Sequence, residues 1–257
     1  MPPTVPEIAA LVRAGMSTFD VTPFAALFAA DAVFEVPFLG VRIEGRDAVV
    51  ATLDAGGAGA RAAGLTKTQV TTTFTDSGFV VELVVSGPGV EFPSSVGIVT
   101  VSDGEITSYR DYPDVSAASK LTRAVFDRFL AASVENRWDD LADLYAEDVT
   151  LEMPFTLPGA PRVTKGREEL RRRFRAAAGA RRITEAGNVV VHETTDPSVL
   201  VAEFDLHQEV HGTAFVATYV MVLTVRNGQI THSRDYTDTA AAAERLRAWS
   251  PAGSTAG

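Results

Sequence analysis

Cysteine is absent from all 257 residues. Disulfide frameworks, thiolate nucleophiles and cysteine-ligated zinc are excluded with it. Histidine is nearly as scarce, with only His192, His207, His211 and His232 present. His207 and His211 stand four apart, but Gly212 and the surrounding valines and threonines place them on strands, so no transition-metal site is expected. Basic residues are outnumbered, 23 Lys and Arg against 33 Asp and Glu, for a formal net charge of −10. That balance disfavours nucleic acid, whose binding rests on neutralising phosphates, and it disfavours anionic membrane surfaces. Long apolar runs are also missing. The longest, Phe215 to Val225, contains Thr218 and Thr224 and is too short to span a bilayer. The opening Met1-Pro2-Pro3-Thr4-Val5-Pro6-Glu7 has neither the basic segment nor the apolar core of a secretory signal. The expectation is a cytoplasmic protein that needs no cofactor and has no nucleic-acid or membrane partner. Its small, polar tail, Ser250 to Gly257, is expected to be disordered.

What is present is an ordinary globular composition, 46% hydrophobic and 22% charged, over a length that suits one or two domains. An internal repeat decides between them. Leu27-Phe28-Ala29-Ala30-Asp31 through Glu35-Val36-Pro37-Phe38 matches Leu144-Tyr145-Ala146-Glu147-Asp148 through Glu152-Met153-Pro154-Phe155. Gly45-Arg46-Asp47 matches Gly166-Arg167-Glu168, and Val81-Glu82-Leu83 matches Ala202-Glu203-Phe204. Asp103-Gly104-Glu105-Ile106 through Tyr109-Arg110-Asp111-Tyr112 matches Asn227-Gly228-Gln229-Ile230 through Ser233-Arg234-Asp235-Tyr236. The offset drifts from 117 to 124 positions, as small loop insertions would produce. The expected boundaries are a first domain over 1–115, a second over 118–249 and the tail over 250–257.

Each copy has the same order of elements. Helical period comes first, through Ile8, Leu11, Val12 and Phe19, then through Leu121, Val125, Phe129 and Leu130. A short helix ends at Leu27 or Leu144, and a strand follows with Pro37 or Pro154 near its end, where a lost ladder bond is tolerable. A helix then opens at Arg46 or Arg167. The remainder alternates valine, threonine and aromatics between turn residues, as strands do. Asp103-Gly104 and Asn227-Gly228 are two-residue hairpin turns, since both positions accept positive φ. The fold class expected is α+β, two tandem domains with helices packed on one face of a curved, mostly antiparallel sheet.

These blocks resemble the SnoaL-like branch of the nuclear transport factor 2 / ketosteroid isomerase superfamily, once per half. The polar strand Glu203 to His207 and the segment His192 to Pro197 look like phenazine-pathway members of that superfamily. The resemblance implies a cystatin-like cone around a pocket, a polyketide cyclase or isomerase activity in bacterial natural-product biosynthesis, and dimerisation through the sheet. A tandem chain could form that dimer internally or as a homodimer. It implies a general acid/base at Asp111 and Asp235. The physical logic stands beside the resemblance: a carboxylate in an apolar pocket is desolvated, its pKa rises, and it can move a proton next to a carbonyl without a cofactor.

Strand alternation sets Thr107, Tyr109 and Asp111 on one face, and Thr231, Ser233 and Asp235 on the equivalent face. Arg110, Tyr112, Arg234 and Tyr236 then point the other way. Phe34, Val36 and Phe38, with Leu151, Met153, Phe155 and Tyr219, are expected to line the pockets around a hydrophobic small molecule. Plain core packing is the other reading of these residues. Ketosteroid isomerases carry a catalytic Asp where this chain has Val36 and Met153, which argues against that chemistry. Glu35 and Glu152 fall on the opposite face, where a pairing or subunit-contact role is expected over contact with a ligand. Glu203, Asp205, His207 and Glu209 share one face that could supply a second acid/base set or simply be solvated. Arg171, Arg172 and Arg173 with Arg181 and Arg182 read as a solvated basic face, or as a site for an acidic carrier or carboxylate. Three functions remain open: a cyclase or isomerase, closely allied to epoxide opening; a noncatalytic binding module; and a chain in which one half is catalytic and the other structural.

Overall fold

The computed structural model describes residues 1–156, 161–210 and 212–239. His211 and the tail therefore lie outside the described residues. The chain divides into two compact units, with the break between Lys120 and Leu121.

In the first unit, α1 (Val5–Ser17) opens with the Glu7 carboxylate accepting the Thr4 N–H at 2.8 Å, which satisfies a donor the helix cannot. Ile8, Ala9 and Val12 form its buried stripe. Leu11 instead faces solvent, and Phe19 lies beyond the helix end at a positive φ of 56°. A single 3₁₀ turn (Ala25–Leu27) leads into β1 (Phe28–Val36), then come β2 (Val41–Glu44), α2 (Arg46–Ala62), β3 (Lys67–Thr75), β4 (Gly78–Gly87), β5 (Val90–Ser102) and β6 (Glu105–Pro113). The sheet order is β2-β1-β6-β5-β4-β3, with β1 and β6 parallel and the other neighbours antiparallel.

The second unit repeats the plan. It has α3 (Ala117–Val134), α4 (Trp138–Asp143), β7 (Tyr145–Glu152), β8 (Val163–Lys165), α5 (Arg167–Ala178), β9 (Arg181–Glu193), β10 (Val199–Val210), β11 (Thr213–Arg226) and β12 (Gln229–Thr237). Its order is β8-β7-β12-β11-β10-β9, again with one parallel pair, β7 and β12. The first turn of α3 falls on the first unit's side of the break.

Both hairpin turns form as expected, with φ of 52° and 81° at Asp103 and Gly104 and 51° and 70° at Asn227 and Gly228. The Gly-Arg motif has a structural job in each unit. Gly45 and Gly166 sit at φ of 91° and 86°, which turns the chain from strand into helix. The arginine that follows reaches back to the start of the first strand: Arg46 Nε donates to the Phe28 carbonyl at 2.5 Å, and Arg167 Nε to the Tyr145 carbonyl at 2.6 Å. The inner faces of each sheet and the helices then close a separate core, centred on Phe28, Phe79, Val81 and Ile106 in one unit and on Phe126, Leu170, Phe204 and Leu223 in the other.

Candidate active site

Each unit holds a cavity lined by residues of its helices and of its sheet, and each cavity has an aspartate at its wall. The first is about 420 Å³ and is lined by Phe19, Val21, Phe24, Phe34, Val36 and Leu53, among others, with Tyr109 and Asp111. The second is about 220 Å³, with Trp138, Tyr145, Met153, Arg173, Phe174, Tyr219 and Asp235 in its wall. Both aspartates lie on strands inside the sheet order, not at an edge. Among the described residues neither forms an ion pair, so pairing with the neighbouring arginine does not explain them.

Asp111 stands across from Gly97 of β5 and accepts a hydrogen bond from Ser95 Oγ. Burial pushes its pKa up, against the Ser95 hydroxyl and the Tyr112 N–H, which pull it down. Asp235 accepts from Ser233 Oγ, two residues back on its own strand. Burial raises its pKa to about 6, although the Ser233 hydroxyl and the positive charge of Arg173 both act the other way. Removing a carboxylate from water is the dominant effect at both sites.

A tyrosine accompanies each aspartate, from a different strand in each unit. Tyr109 is two residues before Asp111, and burial together with the Asp111 charge raises its pKa. In the second unit Ser233 occupies the Tyr109 position, and the tyrosine is Tyr145, where the first unit has Phe28; burial and the Asp235 charge raise its pKa likewise. The exchange is matched across the sheet. Gly97 leaves room for the Tyr109 ring, since a Cβ there would collide with Tyr109 Cε2. Its counterpart opposite Asp235 is Met221, which is buried, as Ser233 is.

The family model described as the SnoaL-like domain matches this chain over residues 8–109 and again over 126–233. The chain belongs to the SnoaL-like family. The uncharacterized protein YesE of Bacillus subtilis (strain 168) is 23% identical over 111 residues, 42% of this chain and 76% of that protein. A candidate isomerase from Bacillus subtilis shares 20% identity with a TM-score of 0.49, covering 51% of this chain and 95% of its own. A candidate polyketide cyclase from Xanthomonas campestris pv. campestris shares 18% with a TM-score of 0.44, covering 51% and 99%.

Within the two SnoaL-like units, the structure sorts the expected site residues. Phe34 and Val36 reach the first cavity, and Leu151, Met153 and Tyr219 the second. Phe38 and Phe155 reach neither: they are exposed and pack edge-on against Tyr112 and Tyr236, with ring centroids 5.2 Å apart in both cases. Each strand ends before its proline, at Val36 and Glu152, so alternation does not carry past it. Ser233 is fully buried behind Asp235 and touches the carboxylate rather than the cavity.

Thr107 and Thr231 are also displaced from the expected face. Each sits where the pairing slips by one residue, so Ile106 and Ile230 turn inward and the threonines donate to Thr100 and Thr224 carbonyls at 3.4 Å. Glu35 pairs with Arg42 at 2.5 Å and Glu152 with His232 at 2.8 Å, both away from the cavities. Glu203, Asp205 and His207 lie on the face of β10 opposite the buried Ala202, Phe204 and Leu206. There Glu203 meets His192 at 2.8 Å, and Asp205 accepts from Thr218 and Asn188.

The basic segment divides. Arg171 pairs with Asp143 and Glu168, Arg172 with Glu169 and Arg175 with Asp139, whereas Arg173 and Arg181 enter the second cavity's wall. Ser95, Tyr145 and Trp138 are further wall or contact residues that the strand pattern alone does not single out. The substitution of Tyr for Phe between repeats at Tyr145 is the one signal in the sequence that could have marked it.

Proposed function

We propose that this protein is a cofactor-independent cyclase or isomerase acting on a hydrophobic carbonyl compound, with Asp235 as general acid/base and Asp111 as its counterpart in the first unit. The observation that carries the reading is Asp235 itself, a carboxylate at the wall of a largely apolar cavity, without an ion-pair partner among the described residues, whose pKa is raised to about 6. A base of that strength is ionised near neutral pH yet still strong enough to take a proton from carbon next to a carbonyl. The proton passes to the carboxylate, the electron pair moves onto the carbonyl oxygen as an enolate, and the same proton returns to a different atom. Where the substrate cyclises instead, the enolate carbon attacks a second carbonyl of the folded substrate, and the carboxyl proton passes to the alkoxide oxygen that this addition creates. The setting is bacterial natural-product biosynthesis, in which reactive carbonyl chains need such shaping.

Unit 1 supports a second reading, as a binding chamber. Its cavity is the larger, and Asp111 is held by two hydrogen bonds that work against its burial.

The test is metabolite profiling by mass spectrometry in a source strain lacking the gene, complemented with wild type, Asp111→Asn or Asp235→Asn. Wild type restores a product, and Asp235→Asn, still folded, lowers its formation by about 10²–10⁴-fold. Restoration of the full product level by both variants removes acid/base catalysis by these residues and leaves the binding module in its place.

A further inference from the structure

The two cavities carry opposite charge. The charged residues lining the first are Asp20 and Asp111; Arg61, outside the lining, donates to the Phe19 carbonyl and acts on Asp20 at the rim, and no basic side chain among the described residues lines the cavity beside Asp111. Those lining the second are Arg173, Arg181 and Asp235. Neither arginine has a carboxylate within ion-pair distance among the described residues, although Arg171, Arg172 and Arg175 of the same segment all do. Arg173 donates to the neutral Thr164 hydroxyl, and its other terminal nitrogen lies 4.0 Å from the Met153 sulfur. Arg181 lies with its guanidinium carbon 5.5 Å from the centre of the Trp138 ring, and its buried Nε has no hydrogen-bond partner among the described residues. Arg173 and Arg181 are each half-buried; partly desolvating a guanidinium without a counter-charge has a cost, and an unused buried donor adds to it. Asp235 does not discharge the pair: it is close enough for Arg173 to lower its pKa, but not close enough to form an ion pair.

We infer that the second unit takes a small, hydrophobic carboxylic acid, whose carboxylate is received by Arg173 and Arg181 while its reacting carbon faces Asp235. This rests on the acid/base reading of Asp235 and adds the substrate class. Guanidinium groups favour carboxylates because their planar donor forks match the two oxygens. The cavity volume of about 220 Å³ and its aromatic walls restrict the rest of the ligand to a compact apolar body. The first cavity, whose charged lining residues are both acidic, is expected to bind such an anion less well.

The chain has two tryptophans, so a Trp249→Phe background leaves Trp138, beside Arg181, as the only indole. Fluorescence titration of that full-length protein compares benzoate with benzamide, which has the same shape and no charge. Benzoate is expected to change Trp138 emission saturably and to bind at least about tenfold more tightly than benzamide. Arg173→Met and Arg181→Met each lose that preference while keeping the wild-type circular dichroism spectrum, and Arg173→Lys retains part of it.

Equal binding of the two probes, no response to benzoate up to its solubility, or a preference that survives both Met variants overturns the inference. Asp235→Asn separates it from the catalytic reading, because it should keep or strengthen the benzoate preference. If Asp235→Asn supports full product formation while the benzoate preference stands, the catalytic reading alone falls. If Asp235→Asn abolishes product while benzoate shows no preference, the carboxylate site alone falls.

Discussion

Asp235 is stabilised in its protonated form and destabilises the fold when it ionises. Its pKa in the folded chain is about 6, above the ordinary 3.8. A group with a raised folded pKa binds its proton more tightly in the native state, so its favourable contribution is complete below 3.8 and is lost as pH rises through about 6. Asp235→Asn keeps an acceptor for Ser233 Oγ but carries no charge. It should therefore stabilise the second unit at pH 7, by on the order of 2–3 kcal/mol. Near pH 3.8 the gain should vanish. Urea denaturation at the two pH values measures this, and a gain of equal size at both would show that burial of the charge is not what the wild type tolerates. If Asp235 acts as a base, the rate rises with pH through the same midpoint of about 6.

The strand-to-helix turn recurs in both copies, with Gly45 and Gly166 at φ of 91° and 86°. Gly166 bonds its N–H to the Val149 carbonyl at 2.8 Å and takes a φ of 86°, while Arg167 ties α5 to the start of β7. An alanine at Gly166 would meet no clash, the nearest atom being 3.6 Å away, so its whole effect is backbone strain. Gly166→Ala should cost about 1–2 kcal/mol. Gly179, at the end of α5 with φ −71° and nothing within 4 Å of the position an added methyl would take, is the control. Gly179→Ala should be neutral or stabilise by about 0.4–1 kcal/mol, through the loss of unfolded-chain freedom. Thermal denaturation of the pair decides it: equal shifts would show that the turn is not the constraint.

On the scale of the whole chain, the repeat yields two units with two cores. Leu170 is 1% exposed at the centre of the second. Leu170→Ala should remove about 2–5 kcal/mol from that unit by leaving a cavity. Hydrogen exchange followed by peptide mass spectrometry should then show protection falling in β7, β10, β11 and β12, while the strands β1, β4, β5 and β6 keep theirs. A matching loss in the first unit would mean that the two cores unfold as one.

Much of this was open to inspection in the residues alone. The tandem blocks, the helix starts at Arg46 and Arg167, the Asp-Gly and Asn-Gly turns and the inward aspartates follow from local chemistry: positive φ at glycine, alternation along a strand, helical period. Those signals fail where the local geometry changes. The 3₁₀ turn at Pro37–Leu39 and the end of β7 at Glu152 send Phe38 and Phe155 outward, and the slipped pairing at Thr107 and Thr231 turns them aside. Ser95 becomes the partner of Asp111 only because β5 and β6 lie side by side in one register. Likewise, adjacent arginines look alike in the chain, and their fates differ by helix phase: Arg171 and Arg172 find carboxylates, while Arg173 turns into the cavity. Periodicity along the chain determines which face a residue takes. What that face meets, and so whether a charge is neutralised, desolvated or left for a ligand, depends on elements brought together from far along the sequence.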